Sequence, residues 1–218
     1  MDAVSYLLGK QSSGGGGLDW SAIGYSGEPQ AITDGYNYAV EIKNNWTPAA
    51  NLRRKFRNNT DLVYMPLVDT STGTDMREMF SGCSKLASIP LLDTSSATTT
   101  SQMFYSCSSL ISIPLLDTSS VTDMTNMFSG CSALKEVPIL NTSAITGTGL
   151  SNIFWACVKL SDTSLDNILQ MCIKTTSYTG TKTLAGIGVS NPTAFPASRI
   201  EALPHYQDFI DAGWTMGY

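Results

Sequence analysis

Few residues in this sequence are suited to acid–base or nucleophilic chemistry. His205 is the single histidine of the 218 residues, and it follows a proline near the carboxyl end. Ser-His-Asp and Cys-His catalytic groups use a histidine as base, so such a group could be built in one place only. An enzyme would also need titratable side chains converging in a pocket, whereas the middle of this chain offers mainly Ser and Thr. We therefore predict a protein that is not an enzyme, with no catalytic residue and no cofactor.

The cysteines are the next candidates for chemistry. The chain has five, and four of them recur at a nearly fixed interval: Cys83, Cys107, Cys131 and Cys157. No Cys-x-x-Cys spacing occurs, which argues against a zinc or redox motif. Cysteine beside repeated Phe and Leu positions behaves as a small buried hydrophobe. A disulfide between neighbouring repeats is geometrically conceivable, but the odd count and the absence of a secretory signal favour reduced thiols.

A third set of candidates is a column of acidic or amide residues. Asp69, Asp93, Asp117 and Asn141 are each 24 residues apart, and each is followed by Thr-Ser. Stacked carboxylates repel one another, and a bound cation such as Ca²⁺ could relieve that repulsion. The following Thr-Ser is instead typical of a capped turn, where the carboxylate accepts backbone hydrogen bonds. We predict turn caps and no metal site.

These columns imply the elements that must position them. The phrase Met-Phe-x-x-Cys-Ser-x-Leu-x-x-Ile-Pro-Leu-Leu-Asp-Thr-Ser begins at Met79 and again at Met103, with a close variant at Met127. Pro66, Pro90, Pro114 and Pro138 keep the same 24-residue interval. A fixed period in the twenties is typical of stacked supersecondary units. One unit cannot cover its own apolar face, so it is stable only when neighbours stack on it.

The residue types suggest the course of one unit. Leu110 to Leu116 is apolar and partly β-branched, which predicts a short strand despite Pro114. Met124, Met127 and Phe128 have the spacing of one helical face, which predicts a helical turn after the capped turn. The expected fold is a short right-handed solenoid. Its predicted core consists of Phe56, Phe80, Cys83, Leu86, Phe104, Cys107, Leu110, Phe128, Cys131, Leu134, Phe154 and Cys157.

The phrase Leu-Asp-Thr-Ser-Ser-Val-Thr-Asp-Met-Thr-Asn-Met-Phe-Ser-Gly-Cys-Ser, residues 116 to 132, resembles the BspA-type leucine-rich repeat of bacterial surface proteins and bacteriophage structural proteins. The resemblance covers about residues 49–160. It implies an α/β repeat fold, a leucine-rich-repeat solenoid, and a binding or adhesive surface without enzymatic activity. It identifies no ligand.

The rest of the chain flanks the repeats. We predict four parts: an N-terminal docking peptide with a Gly-rich linker at 1–17, a helical cap at 18–48, repeats at 49–160, and a helical cap at 161–218. In the first part, Tyr6, Leu7, Leu8 and Lys10 form an apolar plug before four consecutive glycines. Glycine runs behave as flexible linkers, so the segment is either a disordered tail or a peptide that docks into a larger assembly.

One basic cluster stands out in an acidic chain. Arg53, Arg54, Lys55 and Arg57 lie together in a degenerate first repeat. They predict either a solvated helix face or a contact for an acidic neighbouring protein or glycan. The sequence leaves both interpretations open.

Composition limits the partners. The net charge of -5 argues against nucleic acid, because phosphate binding favours a basic face. No stretch is apolar for long enough to span a bilayer, and the first residues lack the pattern of a secretory signal. With the resemblance, this predicts a virion protein assembled in the host cytoplasm, on the capsid or tail, that binds a host protein or glycan and is compatible with a homo-oligomer. The alternative is a BspA-like adhesin on the bacterial surface, or a protein-binding scaffold.

Overall fold

The computed structural model describes residues 38–217 of the chain. Four helical segments lie in this part: α1 (38–44), α2 (Asp162–Lys174), α3 (Ala197–Glu201) and α4 (Tyr206–Asp211). None of the helices among these residues is both long and apolar enough to cross a lipid bilayer. The predicted docking peptide, with Tyr6, Leu7, Leu8 and Lys10, lies outside the described residues, as does most of the predicted N-terminal cap.

Between α1 and α2 the chain forms a stack of repeats, here called the repeat stack (residues 51–160). Isolated parallel bridges join residues that are 24 apart in sequence. One set runs along one side of the stack, at Asn51 with Asp75, Asp75 with Thr99, and Thr99 with Asp123; the other pairs Tyr64 with Ser88 and Ser112 with Glu136. Each repeat therefore lies directly against the next one, in register.

The segment predicted to form a helical turn has a different local structure. Residues 125–130 are a run of turns, and Asn126 has φ 56°, in the left-handed region. Its N–H donates to the carbonyl of Ser151 in the next repeat at 3.0 Å, rather than to a residue four positions earlier. The prediction of a helical turn was wrong because these backbone donors point along the stack and join neighbouring repeats. The predicted strand is also reduced, to the single bridge residue Ser112.

Identical side chains line up inside the stack. The rings of Phe56, Phe80, Phe104, Phe128 and Phe154 form a continuous ladder, with centroids 5.4 to 5.7 Å apart and planes within 9° of parallel. Trp46 extends the ladder at its N-terminal end, with its centroid 6.1 Å from that of Phe56. All twelve predicted core residues are buried. Because the repeat interval is constant, identical side chains of neighbouring repeats stack on one another, as the repeated columns of the sequence predict.

The C-terminal part closes the other end of the stack. The predicted helical cap at 161–218 begins with α2, whose N-cap Ser161 accepts a hydrogen bond from the Ser164 N–H. Arg199 ties α3 to this end, since its guanidinium donates to Asp162 Oδ1 at 2.6 Å and to the carbonyl of Leu160 at 2.9 Å. Residues 184–188 of this part form turns. Gly188, with φ 95°, lies within this run of turns.

Candidate functional site

One exposed face of the stack is built from the residues that flank a buried pair. In each repeat a buried Phe, preceded in most repeats by a buried Met, belongs to the core. Of the residues directly before and after this pair, seven are exposed or half-buried, while Glu78, Ser81 and Ser129 are buried. We call this surface the front face. The residues before the pair are Arg54, Glu78, Gln102, Asn126 and Asn152, and those after it are Arg57, Ser81, Tyr105, Ser129 and Trp155.

An open groove of about 430 Å³ lies on the C-terminal half of the front face. It is lined by Gln102, Tyr105, Asn126, Ser129, Asn152 and Trp155. Tyr105 and Trp155 are two repeats apart, or roughly 10 Å at the usual spacing of neighbouring strands. They are 37% and 54% exposed, which is high for aromatic side chains. The two aromatic residues therefore stand at opposite ends of a shallow polar channel.

The floor of the groove is a file of three amides. Gln102, Asn126 and Asn152 all have positive φ values, between 53° and 56°, and Asn tolerates this conformation better than most residues. None of the three side chains forms a hydrogen bond with another residue in 38–217. Each amide keeps two N–H donors and one carbonyl acceptor available for a ligand.

This combination suits a neutral ligand that is rich in hydroxyl groups. Amides can donate to and accept from hydroxyls, and an aromatic face, which carries negative charge density, attracts polarised C–H groups. The six lining residues include no carboxylate, histidine or cysteine, so the groove provides no general base.

The N-terminal end of the front face is charged. Glu78, whose side chain is 12% exposed, receives Arg54 at 2.8 Å, Arg57 at 3.1 Å and Arg53 at 3.6 Å. The hydrogen bond from Arg54 is the main cause that lowers the pKa of Glu78, so this carboxylate is ionised at neutral pH. The predicted helix face is not found here, because residues 53–58 are turns. Lys55 lies apart from this group, with its ammonium 5.5 Å from the centre of the Trp46 ring.

The four repeated cysteines have a role that the sequence did not suggest. All five cysteines are free and buried. The thiols of Cys83, Cys107, Cys131 and Cys157 each donate to the carbonyl of the Phe in the preceding repeat, at 3.0 to 3.1 Å. Burial raises the pKa of the Cys83 thiol to about 11 and that of Cys157 to about 12. The four repeated cysteines are therefore neutral thiols whose hydrogen bonds join neighbouring repeats.

Thiol labelling should therefore require unfolding. At pH 8 the folded protein should react with a disulfide reagent at least about a hundredfold more slowly than free cysteine, because the thiolate is scarce and the sulfur is inaccessible. After denaturation all five thiols should react at once. The reaction is measured by absorbance. Rapid labelling of any cysteine in the folded state would contradict this packing.

The Asp column forms turns of one kind. Oδ1 of Asp117 accepts the N–H of Ser119 at 2.9 Å and its hydroxyl at 2.7 Å. Asp69, Asp93 and Asn141 make the same pair of bonds to the serine two residues later. The intervening threonine is buried and links repeats, as Thr118 does by donating to the carbonyl of Asn141 at 2.8 Å. The sequence indicated the caps and missed the threonine file.

Acid should weaken these turns. The serine hydroxyl is the main cause that lowers the pKa of Asp69, Asp93 and Asp117. A lowered pKa stabilises the fold above the unfolded value of about 3.9, and this contribution is lost as the pH falls through the folded value. Between pH 6 and pH 2.5, the thermal midpoint of unfolding should fall less in the triple variant D69N/D93N/D117N than in the wild type.

Asn141 is the internal precedent for that variant, since its amide oxygen makes the same two bonds at 3.0 and 2.7 Å. Equal acid sensitivity in the two proteins would show that the three carboxylates do not carry the effect. Ca²⁺ or a chelator should leave the midpoint unchanged. Within residues 38–217, no three His, Cys, Asp or Glu side chains are grouped so that they could hold a metal ion.

His205 belongs to the C-terminal packing. Its Nδ1 lies 2.7 Å from Asp166 Oδ2, and its backbone N–H donates to Asp166 Oδ1 at 2.9 Å. The shallow groove beside it is lined by Gln170, Ile173, Lys174, His205, Asp208 and Asp211. None of these six carries the hydroxyl or thiol that a histidine-activated nucleophile requires. The pair joins α2 to the start of α4.

A second exposed surface is apolar. Leu67, Leu91 and Leu115 lie 24 residues apart and are 46%, 60% and 62% exposed, and the half-buried Ile139 continues the series. We call this the leucine file. A row of exposed leucines is the kind of patch that marks a protein contact.

Comparisons with known proteins identify a family whose model matches the repeats. A family described as "Mycoplasma protein of unknown function, DUF285" matches over residues 44–142 and again over 74–178. The two matches together cover more than half of the chain and include the whole groove. No curated protein matches, and no solved structure matches.

Proposed function

We propose that this chain, which belongs to the family described as "Mycoplasma protein of unknown function, DUF285", is a non-enzymatic glycan-binding protein. The stacked repeats would form a short right-handed solenoid of the BspA-type leucine-rich-repeat kind. The front face would be the adhesive surface.

The groove on the front face carries this proposal. Its amide file offers unpartnered donors and acceptors, and its two ends carry the exposed rings of Tyr105 and Trp155. Sugars present both hydroxyl groups and an apolar C–H face, and the groove offers a partner for each. The rigid stack beneath it holds these side chains in place before the ligand arrives, which lowers the entropic cost of binding.

Trp155→Ala should weaken glycan binding. On an array of neutral and acidic oligosaccharides, we expect the wild type to bind a defined set. The variant should bind the same glycans at least about tenfold more weakly, because it loses the largest exposed contact area. Leu115→Ala removes an exposed side chain from the leucine file and is the matched control. Binding that survives Trp155→Ala, or a wild type that binds no glycan, would refute the proposal.

We further propose that the protein is a component of a phage particle and docks through residues 1–17. Support comes from the resemblance to phage structural proteins and from the apolar Tyr6, Leu7 and Leu8 before a glycine run. A phage component should co-purify with particles. Deleting residues 1–17 should prevent incorporation while the repeat stack stays folded. Full incorporation of the truncated form would disprove docking through this segment.

The second candidate function is a protein-binding scaffold, on the bacterial surface or within a larger assembly. The leucine file favours it, because Leu91 and Leu115 expose about three fifths of their area. A Leu91→Ser, Leu115→Ser double variant separates the two functions. If the front face is the adhesive surface, this double variant should retain glycan binding. If the leucine file is the surface that binds a partner protein, the variant should lose binding of that protein.

A further inference from the structure

The groove and the basic cluster belong to one continuous surface. The residues before the buried pair form one file along the front face, and the residues after it form a second file. Each repeat adds one residue to each file, so both files run from the first repeat to the last. Arg54 and Glu78, successive members of the file before the buried pair, are in contact at 2.8 Å. At the usual strand spacing, Arg57 lies roughly 20 Å from Trp155 along the stack. A linear ligand that occupied the groove could extend to the arginines.

Charge is distributed unevenly along this surface. Three arginines meet a single carboxylate at the N-terminal end, which leaves two positive charges uncompensated. The next two repeats contribute only neutral side chains to the front face, at Gln102 with Tyr105 and at Asn126 with Ser129. The whole chain carries a net charge of -5, so this local excess runs against the overall balance.

Glu78 positions these guanidinium groups. Arg54 donates to Glu78 Oε1 from Nε at 2.9 Å, and Arg57 approaches Oε2 through its own Nε at 3.1 Å. Among residues 38–217, neither arginine has a second carboxylate partner within 4.0 Å. The two arginines remain 48% and 43% exposed. A guanidinium that is held at one edge can still present its remaining N–H groups to an acid, which is the geometry that carboxylate and sulfate groups prefer.

We propose that the ligand of the front face is an acidic oligosaccharide that lies along the stack, with its neutral sugars in the groove and a carboxylate or sulfate at Arg57. This inference rests on the proposed glycan-binding function and adds the class of glycan and its direction. A single-stranded nucleic acid fits less well. Its charge recurs at every nucleotide, whereas the positive groups of the front face are confined to one end.

The test uses the full chain and matched ligands. Acidic oligosaccharides that contain uronic acid, sialic acid or sulfate are compared with their carboxyl-reduced or desulfated counterparts by calorimetry. The acidic form should bind roughly tenfold more tightly, which is the effect of one charge-assisted hydrogen-bonded pair. The difference should shrink as salt is added.

Arg57→Gln should remove most of this preference and leave the affinity for the neutral counterpart unchanged. Glu78 keeps both contacts with Arg54 in this variant, so the fold should be retained, as a thermal melt will verify. Arg53→Gln, at a contact of 3.6 Å, is the second variant. Lys85→Gln removes one positive charge from an exposed position off the front face and should change nothing.

The outcomes separate the two levels of the proposal. Equal affinity for the acidic and neutral forms, or a preference that survives Arg57→Gln, would overturn this inference and leave the glycan-binding function intact. Absence of binding to every glycan would overturn both. Tighter binding of oligodeoxythymidylate, lost in Arg57→Gln and Trp155→Ala, would replace the glycan by a nucleic acid.

Discussion

Phe104→Ala should lower the free energy of unfolding by about 3 to 5 kcal/mol, the usual cost of removing a fully buried phenyl ring. The Phe104 ring is completely buried, and its centroid lies 5.4 Å from that of Phe80 and 5.6 Å from that of Phe128. The cavity would open between two rings that belong to different repeats. Neighbouring backbones are held in register by hydrogen bonds, so the site cannot easily collapse to fill it. Urea denaturation monitored by tryptophan fluorescence measures the loss.

The adjacent position provides the control. Tyr105 follows Phe104 in the chain, but its ring lies on the front face and is 37% exposed. Tyr105→Ala should cost less than about 1 kcal/mol, as is usual for partly exposed positions away from the core. Similar losses in the two variants would mean that the ladder does not carry the cohesion of the stack. Phe56→Ala should fall between them, because Phe56 is 8% exposed in the first repeat.

The core was predictable because packing repeats with the chain. A ring at Phe104 meets the same surroundings as one at Phe80 or Phe128, so the same residue suits each position and the 24-residue interval becomes visible. The local backbone was not predictable from the same columns. Met127 and Phe128 are buried in a run of turns, and Met124 is buried just before it, as all three would be in a helical turn. The difference lies in the N–H of Asn126, which donates to the next repeat, and no side-chain pattern records that choice.

The front face was not predictable from the sequence, for the opposite reason. Its side chains do not contact a repeated environment, so they differ from one repeat to the next: Arg54, Glu78, Gln102 and Asn126 occupy equivalent positions. The available signal was positional. Tyr105 and Trp155 each directly follow a Phe that fills the core, and both rings are exposed, so a large aromatic residue at this position was the available sign of a surface site. The basic cluster was visible as a run of charge, but its central carboxylate, Glu78, lies one repeat away in sequence.

Gly188→Ala should produce the other large effect, a loss of about 2 to 5 kcal/mol in the free energy of unfolding. The lower part of this range is the cost of a left-handed backbone for a residue with a Cβ, and the rest is overpacking. Gly188 has φ 95°, and a Cβ added there would lie 2.3 Å from the backbone N of Trp155 and 2.7 Å from its Cα. Because the obstacle is backbone, the C-terminal turns or the last repeat must move.

Gly213→Ala is the matched control, since Gly213 also has a positive φ, 81°, but an added Cβ would meet no atom within 4 Å. It should cost only about 1 to 2 kcal/mol, the conformational part of the loss. Thermal and urea denaturation of the two variants separate the contact from the backbone conformation. Equal losses would mean that the close approach at Trp155 contributes nothing.

The same pair of variants connects the C-terminal cap to binding. Trp155 stands between the groove on the front face and a second open groove of about 450 Å³ that Gly188 and Phe195 help to line. A displaced backbone at Trp155 would shift the indole away from the amide file, so Gly188→Ala should weaken glycan binding even at temperatures where the variant is folded. Gly213→Ala should bind as the wild type does. Unchanged affinity in a folded Gly188→Ala variant would mean that the cap covers the end of the stack without setting the position of Trp155.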